Sequence, residues 1–142
     1  MKTRWLFVLL LLIAGFGVLG IGGSQIAKKA PPIPASIVTA EGTALVGPGQ
    51  ILEGQKLYLG HGGQHIGSVF GHGAYLAPDW TAKALHQWAD HTLQGLRAQG
   101  LSEAEAAARV KVLFQTNTFA EGRVTLDPVQ AQAYLKTRAE LA

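Results

Sequence analysis

Histidines are the side chains best suited to chemistry in this chain, and three of its five, His61, His65 and His72, fall in one glycine-rich stretch. His61 and His65 stand four apart, a spacing that on a helix would put both imidazoles on one face for a metal. Gly60, Gly62 and Gly63 argue against a helix there, and no carboxylate between Gly60 and Gly73 supplies a third ligand. Surface or hydrogen-bonded imidazoles are therefore the expectation. His86 and His91 are five apart, so on different faces of a helix, which suits interfacial or exposed positions. Cysteine is absent, which removes disulfides, thiolate metal sites and covalent c-type haem attachment. No nucleophile, base and orienting group can be assembled, and GQHIGSVFGHG lacks the lysine and the preceding strand of a phosphate-binding loop. The acidic residues mostly fall at helix caps or on solvated helix faces. No catalytic residue is assigned to this chain.

The most informative segment runs from Gly67 to Trp80, GSVFGHGAYLAPDW, where Asp79 is the single group ionised at neutral pH. So many glycines and aromatics make a poor solvated loop. Either Phe70, Tyr75 and Trp80 fill the domain's own core, or the loop packs on another protein; the two are compatible.

The elements around it follow from pattern. From Trp5 to Ala27 there is no charge, and about twenty residues at ~1.5 Å rise cross a ~30 Å hydrocarbon layer. Lys2 and Arg4 precede the run and favour a cytoplasmic N-terminus. The run exceeds the ~7–15-residue core of a cleaved signal and no small-x-small site follows it, so an uncleaved anchor is expected. The expected organisation is a cytoplasmic tail at 1–4, a transmembrane helix at 5–27, a linker at 28–47 and an exported domain at 48–142. Lys28 to Pro34 contains three prolines and reads as a stiff exit from the membrane. Ile37 to Val46 suggests a strand or hairpin.

Helical spacing begins near Gln50, where Ile51, Leu52, Gln55, Tyr58 and Leu59 could bury one face. Gly60 to Gly73, with six glycines in fourteen residues, reads as loop. Asp79 or Thr81 caps a helix carrying Leu85, Trp88, Ala89, Leu93 and Leu96 and stopping at Gly100. Ser102 and Glu105 form a capping box before Ala106, Val110, Leu113 and Phe114. Thr118 to Leu126 reads as a hairpin turning at Glu121-Gly122, and Asp127, Pro128 and Gln130 open the last helix. The fold class is mainly α, with one small β-hairpin. A net charge of +3, scattered along the chain, offers no clustered basic face for nucleic acid.

Several of these blocks together carry a resemblance. KAPPIP at 29–34, GQKLY at 54–58, GGQHIGSVFGHGAYLAPDWTA at 62–82, Leu85-His86, Asn117-Thr118-Phe119 and the T-L-D-P step at 125–128 follow an N-terminal apolar helix. In this order the chain resembles the N-terminal region of quinol-dependent nitric oxide reductases over nearly its whole length. The resemblance implies a cytochrome c-like helical domain that has lost its haem. The related small subunit of the cytochrome c-type enzymes carries C-x-x-C-H before a similar G-x-x-A-Y block; aligned without gaps, its cysteines fall on Gly63 and Ile66 and its haem histidine on Gly67.

The resemblance further implies that Gly73, through its carbonyl, and Tyr75 help hold a calcium ion shared with the catalytic subunit. Haem b and non-haem iron are expected only in that multi-helix partner, which family members carry as further apolar helices. The chain stops at Ala142 after one apolar segment, so the expectation is a fragment or a separate small subunit. On this reading it is a non-catalytic, single-pass part of the bacterial inner membrane enzyme that reduces nitric oxide to nitrous oxide, with its domain on the periplasmic or outer side. The alternative from another class is a free-standing membrane-anchored metal or gas sensor built on His61, His65 and His72.

Overall fold

The computed structural model describes residues 2–29 and 31–141. Met1, Ala30 and Ala142, which belong to the expected tail, linker and domain end, lie outside the described residues. The chain separates into two compact units, the first ending at Pro32 and the second beginning at Ile33.

The first unit is helix α1, Lys2–Lys29. Its apolar stretch Arg4–Ile26 covers 23 residues, about 35 Å of helix, enough to cross a bilayer. Large side chains from Trp5 to Ile26 are exposed all round the helix, as they are on a segment whose solvent is lipid.

The second unit opens with β1 (Ser36–Thr39) and β2 (Ala44–Val46), joined by a turn at Gly42 with φ 86°. Helices α2 (Gln50–Gly60) and α3 (Gly63–Ile66) follow. A two-stranded ribbon, β3 (Ser68–Val69) and β4 (His72–Gly73), leads to the long helix α4 (Trp80–Ala98). Helix α5 (Glu103–Gln115), strands β5 (Phe119–Ala120) and β6 (Arg123–Leu126), and helix α6 (Pro128–Leu141) complete it.

The β structure is larger than one hairpin. Four strands form a sheet in the order β2-β1-β6-β5, and its centre is a parallel pairing of β1 with β6, Ser36 opposite Arg123 through Thr39 opposite Leu126. The 28–47 stretch therefore supplies two strands of the domain's sheet. Local patterning predicts the hairpin at Glu121-Gly122 and leaves Ile37 to Val46 as a strand or hairpin; the parallel seam joins distant parts of the sequence and leaves no local signal. The Glu121-Gly122 turn is where the sequence puts it, both residues having positive φ.

Helix ends follow the capping rules. Ser102 and Glu105 make both halves of a capping box at α5. Asp127 Oδ1 accepts from Val129 N at 3.0 Å, and the Asp127 amide donates to Gln130 Oε1 at 3.4 Å, so the start of α6 is also reciprocally closed.

The core lies where α4, α5 and α6 meet. Leu96, Ala106 and Val129 are buried, with Leu93, Leu101, Val110 and Leu113 packed around them. Ala106 has no exposed surface, and a Cβ on Gly95 would come within 2.9 Å of Val129 Cγ1, so small residues set the close approach of the helices. Trp88 ties the group together. Its indole N–H donates to Gln130 O at 2.9 Å, and its ring meets Phe114 and Tyr134 edge-on, with centroids 4.9 and 5.8 Å apart.

Two expected burials fail. No residue of α2 is buried, and Leu52, Leu57 and Leu59 are exposed; Leu85 of α4 is exposed as well. Helical periodicity finds an apolar face but not whether this chain covers it.

Trp88→Ala should destabilise the domain by about 3–5 kcal/mol, because it removes the aromatic centre of a three-helix junction. Trp88→Phe should cost about 1–3 kcal/mol, since the Gln130 carbonyl loses its donor while most apolar contact remains. Urea melts of the detergent-solubilised chain, followed by circular dichroism, measure both.

Candidate functional site

The glycine and aromatic segment folds into a rigid turn built around one carboxylate. Asp79 is the N-cap of α4, and its Oδ1 accepts from Ala82 N at 2.8 Å. Its Oδ2 faces the other way and accepts from Ser68 Oγ at 2.6 Å and from Gly71 N at 2.7 Å. Further bonds close the segment: Ser68 N to Pro78 O at 2.9 Å, Phe70 N to Thr81 Oγ1 at 3.1 Å, and Ala74 N to Gln64 O at 3.1 Å. The hydrogen bond from Ser68, then those from the Ala82 and Gly71 amides, hold the Asp79 carboxyl at about 2, well below the ordinary carboxylate range.

The tip of the β3–β4 ribbon is Phe70-Gly71, with φ 51° and 74°. A left-handed aromatic residue carries a backbone cost of about 1–2 kcal/mol, and the bonds from Phe70 N to Thr81 and from Gly71 N to Asp79 keep it there.

Aromatic rings of this chain pack directly over Gly63 and Gly67. A Cβ on Gly63 would fall 2.3 Å from the Tyr58 ring, and one on Gly67 would fall 1.8 Å from Trp80 Nε1. The Tyr58 hydroxyl donates to Gly67 O at 3.3 Å, so the ring on one glycine is tied to the other. Ile66, between them, is exposed. The space that side chains at 63 and 67 would need is filled by Tyr58 and Trp80. Gly63 also opens a single helical turn, α3, where the glycine density predicts loop. Gly62, left-handed at φ 71°, starts that turn, so glycines here enable a helix rather than break one.

Gly73 is just as constrained. Its φ is 146°, and a Cβ there would lie 2.4 Å from Gly67 O. Next to it the chain turns outward. Tyr75 and Leu76 are completely exposed, and Phe70 is 78% exposed. Of the three aromatics of this segment, Trp80 alone is drawn in against the domain. The scaffold of the turn folds inward and presents Phe70, Tyr75 and Leu76 outward.

The histidines are dispersed. His61 Nδ1 lies 2.8 Å from Leu57 O on its own helix, and His72 is exposed on β4. Among the described residues no group of three or more His, Cys, Asp and Glu side chains is placed to hold a metal ion. His86 is exposed beside Asp90 at 3.3 Å. His91 differs from expectation, being largely buried with Nε2 2.9 Å from Glu140 Oε2, a link from α4 to α6 that spacing alone does not reveal.

Gly73 and Tyr75, the expected contributors to a cation site, thus fall on one constrained turn. Sequence reasoning misses Ser68 as an organiser of that turn and sees only the capping half of Asp79's role; a serine beside the glycines offers no periodic signal. Asp79 is fully engaged in internal hydrogen bonds, and the surface of the turn offers backbone carbonyls, apolar side chains and a phenol. This suits recognition rather than proton transfer.

A family model for the NorB cytochrome c-like domain of nitric oxide reductase matches residues 34–142. A comparison with curated proteins finds no match.

Because the folded carboxyl of Asp79 is lower than an unfolded one at ~3.9, its stabilisation is complete above about pH 5 and is lost as pH falls toward 2. Acid titration should loosen the turn before the α4–α6 core, seen as amide chemical-shift changes at Gly71 and Ala82 that begin at higher pH than those at Thr92 and Leu96. Asp79→Asn should flatten that acid step and speed hydrogen exchange at the Gly71 and Ala82 amides by roughly tenfold.

Proposed function

The chain belongs to the NorB cytochrome c-like domain family of nitric oxide reductase, and from that premise we propose that it is a non-catalytic, membrane-anchored part of a quinol-dependent nitric oxide reductase. The catalytic multi-helix partner would carry haem b and non-haem iron and convert two nitric oxide molecules, two electrons and two protons to nitrous oxide and water. This chain's part is to dock on the outer face of that partner and keep water from its haem edge. The observation that carries the reading is the pair Tyr75-Leu76, completely exposed on a turn whose backbone is fixed by Asp79. An exposed apolar pair on a rigid support gains most when a partner covers it, because little ordering entropy remains to be lost.

Helix α1 supports a single-pass anchor. Lys2 and Arg4 ahead of its apolar run favour a cytoplasmic N-terminus and hence a periplasmic or outer domain.

Calcium fits this turn as a shared ion. Calcium accepts neutral oxygen ligands, and Gly73 is a position where only glycine permits the backbone path. Asp79, the one carboxylate of the segment, is committed to Ser68, Gly71 and Ala82. This chain would therefore contribute the Gly73 carbonyl and the neighbourhood of Tyr75, and the charged ligands would come from the partner. The bound ion would supply positive charge at the junction of the two chains.

Replacing Tyr75 and Leu76 together by alanine should weaken association with the catalytic partner by at least about 100-fold, as expected for losing two buried side chains of ~1.5–3 kcal/mol each. Copurification and nitric oxide consumption of the assembled reductase measure it, with His86→Ala as the control. Undiminished copurification by the double variant would overturn the docking role. Calcium removal by a chelator should weaken the wild-type complex, and less so a complex carrying Gly73→Ala.

A further inference from the structure

A second feature begins at Thr81, at the base of the turn, and runs along α4 away from it. Where α4 and α6 diverge, Thr81, Ala84, Leu85 and Trp88 face Tyr134, Thr137, Arg138 and Leu141 across an open cleft of about 530 Å³. Trp88 forms its floor and is immobilised by its bond to Gln130 O and by Phe114 and Tyr134. The two threonine hydroxyls that line the cleft are engaged internally. Thr137 Oγ1 donates to Ala133 O at 2.9 Å, and Thr81 Oγ1 accepts from Phe70 N. What remains is apolar wall, with Leu85 and Leu141 as exposed lips.

One charge stands at this cleft. Among the described residues Arg138 is its only ionised lining residue, and there its guanidinium makes one long hydrogen bond, 3.4 Å to Leu45 O, and no ion pair with a carboxylate. Arg138 and Tyr134 also line a smaller adjoining cavity of about 320 Å³ with Ile37, Val46, Gln50 and Gly54. The two side chains thus stand at the junction of an apolar slot and a more polar vestibule. The slot follows α4 from Thr81 to Trp88 and α6 from Tyr134 to Leu141, about 10 Å at the helical rise. That is the pattern of a small-molecule site: apolar walls, fixed aromatics and one polar group that orients the ligand.

We propose that this cleft binds a single-chain carboxylate amphiphile, a fatty acid, with its alkyl chain between α4 and α6 and its carboxylate on Arg138. The charge selects an anion, and the planar fork of an arginine matches a carboxylate in two-point contact. The slot, about 10 Å long, takes a segment of one alkyl chain and, among the described residues, holds no second charged group. Apolar burial supplies attraction and Arg138 supplies direction.

The test uses the full chain in lipid nanodiscs with a diazirine-bearing palmitate, and reads crosslinked peptides by mass spectrometry. Crosslinks should concentrate on Leu85 and on residues 134–141. They should be competed by oleate at least about tenfold better than by oleyl alcohol, which lacks the carboxylate. Arg138→Gln should abolish that preference while leaving the fold intact, and Ala84→Trp should fill the slot and remove the crosslinks. Labelling spread evenly over α1 and the Phe70–Leu76 turn would overturn the proposal. So would equal competition by acid and alcohol in the wild type, or crosslinks that persist in Ala84→Trp. Wild-type crosslinks that vanish once the catalytic partner is bound would show that a protein segment, and not a fatty acid, occupies the cleft.

Discussion

The carboxylate of Asp79 is the constraint on which the functional half of this domain depends. One oxygen belongs to the helix it caps and the other to a loop eleven residues upstream. A capping aspartate ordinarily satisfies one or two amides at a helix end. Here it also gathers Ser68 and Gly71, so that beginning α4 and folding the Gly67–Trp80 segment become one event. The carboxyl's low pKa is the electrostatic record of that sharing. A neutral side chain at 79 would still sit at the start of the helix, but it would face two donors with one weakened acceptor.

That arrangement explains why the glycines are where they are. Gly63, Gly67 and Gly73 lie under Tyr58, under Trp80 and against the Gly67 carbonyl, respectively. They are contact positions more than flexible ones. Two aromatic rings take the volume that side chains at 63 and 67 would need. A cavity left open at those positions would cost stability in proportion to its size. Filling it with Tyr58 and Trp80 removes the cost and makes the turn a solid support.

Much of this is legible in the sequence because it is local. The apolar N-terminal helix, both capping boxes, the Glu121-Gly122 turn and the start of α4 at Asp79 each rest on residues close together in the chain. What stays hidden is non-local or depends on which surface is covered. The β1–β6 seam, the His91–Glu140 link and the Ser68–Asp79 bond join residues whose proximity only the folded chain defines. The bare apolar face of α2 looks like a core face in the sequence because periodicity reports amphipathicity and not burial. The same ambiguity holds for Phe70, Tyr75 and Trp80. The structure divides them, Trp80 inward over Gly67 and the other two outward.

The outward pair raises the question of why a chain would fix its backbone so firmly beneath side chains it leaves in solvent. Exposed apolar residues on a mobile loop can collapse onto their own domain; here Phe70 is held in a left-handed turn and Tyr75 lies two residues after Gly73, whose backbone path is locked. Collapse is blocked by geometry. The exposed area therefore persists until something else covers it, and the orientation of the covering surface is set in advance. A haem-carrying domain moves electrons and needs exposure at the haem edge. A chain without cysteine holds no haem through thioether bonds, and on the docking reading it is rigidity at Gly67–Trp80 that turns shape into recognition.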